Sequence, residues 1–476
     1  MMKSKFFKWH RKIALLMAVP VILWSFSGLL HPLMANWFRA EIQNPFIKPH
    51  ALDVPPHAKP VAEIAEAAGI AELRQLRIVE LDDIHCYQLI DRNDKQWYFG
   101  VLTGIEINDG QNSYARQLAC SYSGQPAENI VSAELVEDFT LTYRYINRLL
   151  PVWKVVFENG QHVYVDTATS KLATHDTPAK RLYLLVFSYT HTWSFLGDES
   201  SWLRIIIVAL CSVLSLFVGV SGIVTRVFFK NRTSSGQTRK LGLSRKLHRS
   251  LGIIISLFYL MFSFSAIWQI AAKTRFDRSF LRASERTVPT IQLESHIQPV
   301  IDQLKAQGKL ASQISLASNA NSSYYRVQLL DRQNPAASVY VNTMTGELTD
   351  YSDADYAREL AGEFSQYPAE SISDCRLITR FARDYGFIYK RLPVWRISYR
   401  GEEYQQYTVD TVNSHLSMRS KPAQVVDALI FINLHKLHFL DVISKDTRDV
   451  VSILSALMII LVSITGLVMM RRKKVR

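Results

Sequence analysis

Four stretches of the chain carry no Asp, Glu, Lys or Arg: residues 13–38, 205–225, 250–272 and 450–470. Each reaches the roughly 20 apolar residues that a membrane-spanning helix needs. They predict four spans separated by two long polar segments and one short one. Inside the long segments the pattern changes to period two. Residues 96–101 run into Thr103-Gly104, and residues 338–342 run into Thr345-Gly346, which reads as strand then turn. Residues 153–157, Asn159-Gly160 and 162–166 predict a hairpin, and residues 395–399, Arg400-Gly401 and 404–409 predict another. Apolar spacing predicts helices over 58–67 and 294–307. Small antiparallel sheets, each with a helix, are the expected result.

The pattern occurs twice. Lys8-Trp9-His10-Arg11 enters the first span, and Lys246-Leu247-His248-Arg249 enters the third. The same shift of 238 residues puts Ser25-Phe26-Ser27-Gly28 on Ser263-Phe264-Ser265-Ala266, and His31 on Gln269. In the polar segments, Leu150-Pro151-Val152-Trp153 recurs as Leu392-Pro393-Val394-Trp395, and Val165-Asp166-Thr167 as Val409-Asp410-Thr411. Before the second and fourth spans, Phe187 and His191 match Phe431 and His435. Within those spans Ser221-Gly222 matches Thr465-Gly466. The chain reads as two parallel copies of helix, extracytoplasmic domain, helix, for which an axis along the membrane normal is natural.

Charge fixes the expected topology. The 476 residues carry a net +13, which might suggest a nucleic-acid partner. The excess lies, however, in residues 1–12, 226–249 and 471–476, none of which contains an acid. Outside them the chain is net negative. All three basic segments fall on one side of the membrane if the spans alternate, and that side is cytoplasmic. Both termini are therefore expected inside a bacterial inner membrane, and no nucleic-acid partner is expected. The layout is residues 1–35 for the N-terminus and first span, 36–203 for the first periplasmic domain and 204–228 for the second span. A basic loop at 229–247, the third span at 248–272, the second periplasmic domain at 273–448, the fourth span at 449–470 and a tail at 471–476 follow. The first span exceeds a signal peptide's apolar core and has an internal counterpart, so it is expected to be retained.

Ionisable side chains at the ends of membrane helices are costly and tend to be functional. His10 and His248 mark the cytoplasmic end. His31 lies 21 residues beyond His10, roughly one hydrocarbon thickness along an ideal helix. Pro32 follows it, where the helix is expected to break. His191 and His435 precede the second and fourth spans, with His438 close behind. These imidazoles are candidate axial ligands of two haems, one near each face. Arg11 and Arg249 are candidate propionate partners. The alternative is a set of interfacial imidazoles. Trp24, Trp37, Trp193, Trp202 and Trp268 are expected mainly in the interfacial belt, and Ser25, Ser27, Ser263 and Ser265 in helix packing. There is no C-x-x-C-H for covalent haem, and a Cys86–Cys120 disulfide is left open. Ser-His-Asp sets, H-E-x-x-H and phosphate loops are not visible.

Taken in order and twice over, these motifs resemble the PepSY-associated transmembrane family. The resemblance covers nearly the whole chain. It implies a membrane α-helical protein with four spans and two extracytoplasmic α+β PepSY-like domains. Four-span members include inner-membrane ferric-siderophore reductases, which implies two b-type haems, a ferric siderophore as acceptor and a cytoplasmic electron donor. Some relatives carry a flavin/NAD(P)H reductase domain. This sequence ends six residues after its last span, so none is expected here. The alternatives are a non-enzymatic PepSY-type regulator or binding protein, and a transporter for a siderophore or metal. The spans offer no carboxylate route for transport.

Overall fold

The computed structural model describes residues 2–471 except 53, 56, 199–200, 229–241, 274–281, 383 and 402–404. Most of the expected basic loop and nearly all of the basic tail lie outside the described residues, as does Tyr404 at the start of one predicted strand. The chain divides into two compact units. A helical unit takes Met1–Arg39, Ala179–Phe276 and Ala423–Arg476, and a sheet unit takes Ala40–Pro178 and Asp277–Pro422.

The helical unit contains four long helices, Met2–Asn36, Trp202–Phe228, Leu243–Lys273 and Lys445–Arg471. All four are long and apolar enough to cross a membrane. The first and third each pack against both the second and the fourth. Met17, Val21, Ile255 and Ile459 are buried between them. Leu16, Val19, Ile206 and Leu257 are equally apolar yet more than half exposed. An outward face of leucine and isoleucine is what lipid requires, and a core surrounded by such a face identifies a multi-pass membrane bundle. Small residues let the helices approach. A Cβ on Gly219 would lie 2.7 Å from Leu260, and Ser212, Ser215, Ser263 and Ser455 are buried. The expected break at Pro32 does not occur. The first helix runs through Pro20 and Pro32 to Asn36, whose side-chain amide bonds the Pro32 carbonyl at 3.0 Å. A proline forfeits one helical hydrogen bond, and membrane helices tolerate that loss.

Two shorter helices, Pro178–Thr190 and Pro422–Ile430, lead into the second and fourth spans. Each opens on proline, whose missing N–H costs nothing at a first helical position. The second continues as a π-turn over Phe431–His435. Trp193 and Leu437 then take left-handed backbone conformations, and the chain turns into the spans.

Among the described residues the sheet unit holds four antiparallel four-stranded sheets. In the first segment, Glu72–Leu81, Ile84–Asp91 and Gln96–Gly100 follow helix Val61–Ala67, and Ile130–Val136, Val152–Phe157, His162–Asp166 and Lys171–Asp176 follow helix Gly110–Ser123. The second segment has the same order. Helix Ile297–Ala306 precedes Ala311–Ser318, Ser323–Leu329, Ser338–Asn342 and Leu348–Thr349, and helix Asp353–Ser365 precedes Ile372–Ile378, Val394–Tyr399, Gln405–Asp410 and His415–Ser420. The segments share one core. Leu73, Leu76 and Tyr87 of the first pack in the same cluster as Leu316, Tyr325 and Val327 of the second. Val288–Pro289 adds an edge strand to the first segment's sheet. Cys86 and Cys120 border one core cluster, but all four cysteines are free.

Equivalent polar positions in the two segments are filled differently. Arg326 pairs with Asp353 at 2.6 Å with both side chains buried. Tyr340, Trp395 and Thr411 donate to the same carboxylate at 2.8, 2.6 and 3.0 Å. In the first segment Gln88 donates to Tyr98 at 2.7 Å and to the Thr167 carbonyl at 2.9 Å, and Gln111 donates to Thr167 Oγ1 at 3.3 Å.

A second buried ion pair joins Arg391 to Asp410 at 3.1 Å, with Asn413 donating to the same carboxylate at 2.8 Å. Burial alone would raise the Asp410 carboxyl. The charges of Lys171 and Arg391 outweigh it and hold it at about 2. A carboxyl depressed in the fold stabilises it above the ordinary value near 3.9, and the contribution is lost as pH falls toward the folded value. Denaturant unfolding of the full chain, followed by fluorescence of Trp97, Trp153 and Trp395, should therefore lose on the order of 2 kcal/mol between roughly pH 4 and pH 2. Asp410→Asn should be less stable at neutral pH and flatter across that window. An unchanged acid slope in the variant would refute the assignment.

Candidate functional site

The helical unit places the histidines in two sets. At the far end of the first and third spans, His191 and His435 face each other with ring centroids 5.9 Å apart and planes at 77°. Each ring stacks on the phenylalanine four residues earlier, His191 on Phe187 at 4.6 Å and His435 on Phe431 at 5.2 Å. Each also reaches a serine on a neighbouring span. His191 Nδ1 lies 2.9 Å from Ser27 Oγ, and His435 Nδ1 lies 2.9 Å from Ser265 Oγ.

The serine protons have one arrangement that also satisfies the helix. A serine hydroxyl has one proton. Ser27 donates it to the Trp24 carbonyl at 2.8 Å, and Ser265 to the Phe262 carbonyl at 2.9 Å. With the hydroxyl donating to Nδ1 the ring would be Nε2–H; with the serine proton on the carbonyl, Nδ1 donates to Oγ. In a neutral imidazole that tautomer presents Nε2 as a ligand.

The entry end of the first and third spans repeats the arrangement. His10 Nδ1 lies 2.9 Å from Ser221 Oγ, whose proton goes to the Val218 carbonyl at 3.1 Å. His248 Nδ1 bonds the Val462 carbonyl at 2.9 Å. A carbonyl only accepts, so this ring too is Nδ1–H. Thr465, which stands where Ser221 does in the first half, turns its hydroxyl onto the Leu461 and Val462 carbonyls instead. Both rings lie against glycine. A Cβ on Gly222 would come within 3.5 Å of His10 Cε1, and one on Gly466 within 3.2 Å of His248 Cε1.

The other predicted residues fall outside this pattern. His31 is exposed and within electrostatic reach of Lys436, Arg448 and Asp449, but it makes no hydrogen bond to a described residue. Its counterpart Gln269 bonds the Asp427 carbonyl. His438 is held by Asp441 at 2.7 Å in a network with Arg448. Arg11 and Arg249 are half-buried, and Arg249 sits near Arg226 and Arg245. Trp24 is not a simple belt residue. Its indole donates to the His191 carbonyl at 3.1 Å, and its ring stacks on Trp193 at 5.2 Å. Ser27 and Ser265, read from the sequence as packing residues, prove to be the histidines' partners. The repeated Ser-Phe-Ser was the signal, since it returns at the same shift as the histidine motif.

The helical unit thus brings His191 and His435 together at the far end and sets His10 within electrostatic reach of His248 at the entry end. Among the described residues no group of three or more His, Cys, Asp or Glu is placed to hold an ion. Two nitrogens suit a metal whose remaining positions are already filled. Two metal–nitrogen bonds of about 2 Å, plus the distance from each nitrogen to its ring centre, add to roughly 6 Å, close to the spacing of His191 and His435.

The tautomers can be read by nitrogen NMR on protein labelled at histidine. Signals assigned to His10, His191, His248 and His435 should show protonated Nδ1 and bare Nε2 at neutral pH. Ser27→Ala should release His191 alone from that state. Nε2–H signals in the native protein would contradict the lock.

The comparison with known proteins agrees with this architecture. The profile of a family described as PepSY-associated TM region matches residues 7–473. No curated protein matches the chain significantly.

Proposed function

Because the chain belongs to the PepSY-associated transmembrane family, we propose that it is an inner-membrane electron-transfer protein. In this reading its bundle holds two b-type haems and reduces an extracytoplasmic ferric chelate, a ferric siderophore. The observation that supports it most is the repeated setting of four bundle histidines, each with Nδ1 2.9 Å from a serine hydroxyl or a carbonyl on a neighbouring span. Interfacial imidazoles facing water would not need one shared support.

His191 and His435 would hold one haem at the far end, and His10 and His248 the other at the entry end. Ligation by two imidazoles leaves no coordination position open, which suits electron transfer. When bound, haem supplies a one-electron Fe(III)/Fe(II) couple. The chain's own residues do the rest. Ser27, Ser265, Ser221 and the Val462 carbonyl orient the rings and enrich them as ligands. Gly222 and Gly466 leave room for flat rings beside the backbone. The apolar outer faces keep water from the sites. Arg11 and Arg249 would neutralise propionates at the entry end. His31, which lacks the lock, would stand beside the far site.

The chain would be two parallel repeats with both termini and the basic segments in the cytoplasm. The sheet unit would be periplasmic and present the acceptor, and the electrons would come from a cytoplasmic donor. Reduction of Fe(III) to Fe(II) weakens a chelate of hard oxygen ligands, so electron delivery would release the iron.

Protein purified in detergent from haem-replete cells should show a b-type spectrum that sharpens on dithionite reduction, with two haems per chain. His191→Ala or His435→Ala should remove one haem, and His10→Ala or His248→Ala the other. A colourless protein would overturn the proposal in favour of a binding or regulatory role.

A further inference from the structure

The far end of the fourth span holds more charge than the histidine pair explains. Asp441 takes His438 at 2.7 Å and Arg448 at 2.9 Å. Asp449 takes Arg448 at 3.1 Å, Asn36 at 2.9 Å and Lys445 at 3.7 Å. Both carboxylates are therefore committed. Lys436 is a cation that neither carboxylate takes. Its side chain makes no hydrogen bond or ion pair with any described residue, and its Nζ lies 5.2 Å from the centre of the Phe431 ring. That ring stacks in turn on His435. The π-turn closes from Lys436 N–H to the Phe431 carbonyl at 3.2 Å, which fixes the lysine directly after the histidine. Its charge is felt at both His435 and His31.

The fold does not require a lysine here. Thr192 occupies the equivalent place after His191, and its hydroxyl bonds the Ser188 carbonyl at 3.0 Å. A cation placed over an aromatic face, beside a candidate axial ligand and without an anion, is suited to a carboxylate that arrives with the ligand. We infer that Lys436 is the anchor for a carboxylate of the cofactor bound between His191 and His435. This rests on the haem reading above, and it assigns the far site a partner that the half-buried arginines of the entry end cannot supply.

The test uses the full-length, haem-loaded protein. A redox titration followed by visible spectra resolves the two haems, and transfer to excess apomyoglobin reads retention of each. A nearby cation disfavours the ferric form, whose net charge is more positive. Lys436→Met should therefore lower the potential of the far haem and speed its release several-fold, with the entry haem unchanged. Lys436→Glu should lower that potential further, and Lys436→Arg should stay near the native value. Thr192→Lys adds a cation by His191 without removing one, and should raise the same potential. Native potentials and retention in Lys436→Met would overturn the inference, as would an equal fall at both haems. A native protein that binds no haem would sink the parent reading instead.

Discussion

A histidine inside an apolar helix bundle must place its ring N–H, because no water is there to take it. That requirement organises the helical unit. A serine on a membrane helix bonds back to a carbonyl one turn earlier, and in doing so spends its only proton. What it shows to a neighbouring helix is then purely an acceptor. Ser27, Ser221 and Ser265 all bond back in this way, and each meets an imidazole Nδ1 from another element. At the fourth, the backbone carbonyl of Val462 does the same work. The partner changes while the direction of the proton stays the same.

The sheet unit meets a related demand by different means. A buried tyrosine hydroxyl stands at the same place in each segment, Tyr98 and Tyr340. The first is met by the amide of Gln88 and the second by the carboxylate of Asp353, which in turn needs Arg326. An amide network and an ion pair fill one position. They differ in what removing a single member costs, since an orphaned buried charge is far more expensive than an orphaned amide.

Much of this was legible in the sequence. The four spans, the two hairpins and the duplicated order of motifs follow from apolar runs, period-two patterning and turn residues, which are local properties. His191 and His435 could be paired on paper because each precedes a span at the same offset. The partners were not legible. Ser27 reaches His191 across 164 residues, and nothing local to Ser-Phe-Ser says whether a hydroxyl faces a neighbouring backbone or a ring. The continuous helix through Pro32 was missed because a membrane helix tolerates the one hydrogen bond a proline forfeits. The common core of the two polar segments was missed for a similar reason. Each segment has enough apolar strands to close on itself, and only contact between segments shows that Leu73 and Val327 share one interior.

The far end then shows where the two halves are free to differ. The groups that hold the imidazoles match: Ser27 with Ser265, Phe187 with Phe431. The groups around them do not. Where the second half has Lys436, His438, Asp441 and Asp449, the first has Thr192, Ser194, Gly197 and Ile205. His191 and His435 rest on equal supports, a serine and a phenylalanine each. Charge outside the pair is not matched in this way, and it has gathered on one side. The first span supplies Asn36 to that network from the other half, which ties the asymmetric charges to the bundle that carries the symmetric pair. The far end is thus a matched site in an unmatched field, and whatever approaches it meets one half of the chain differently from the other.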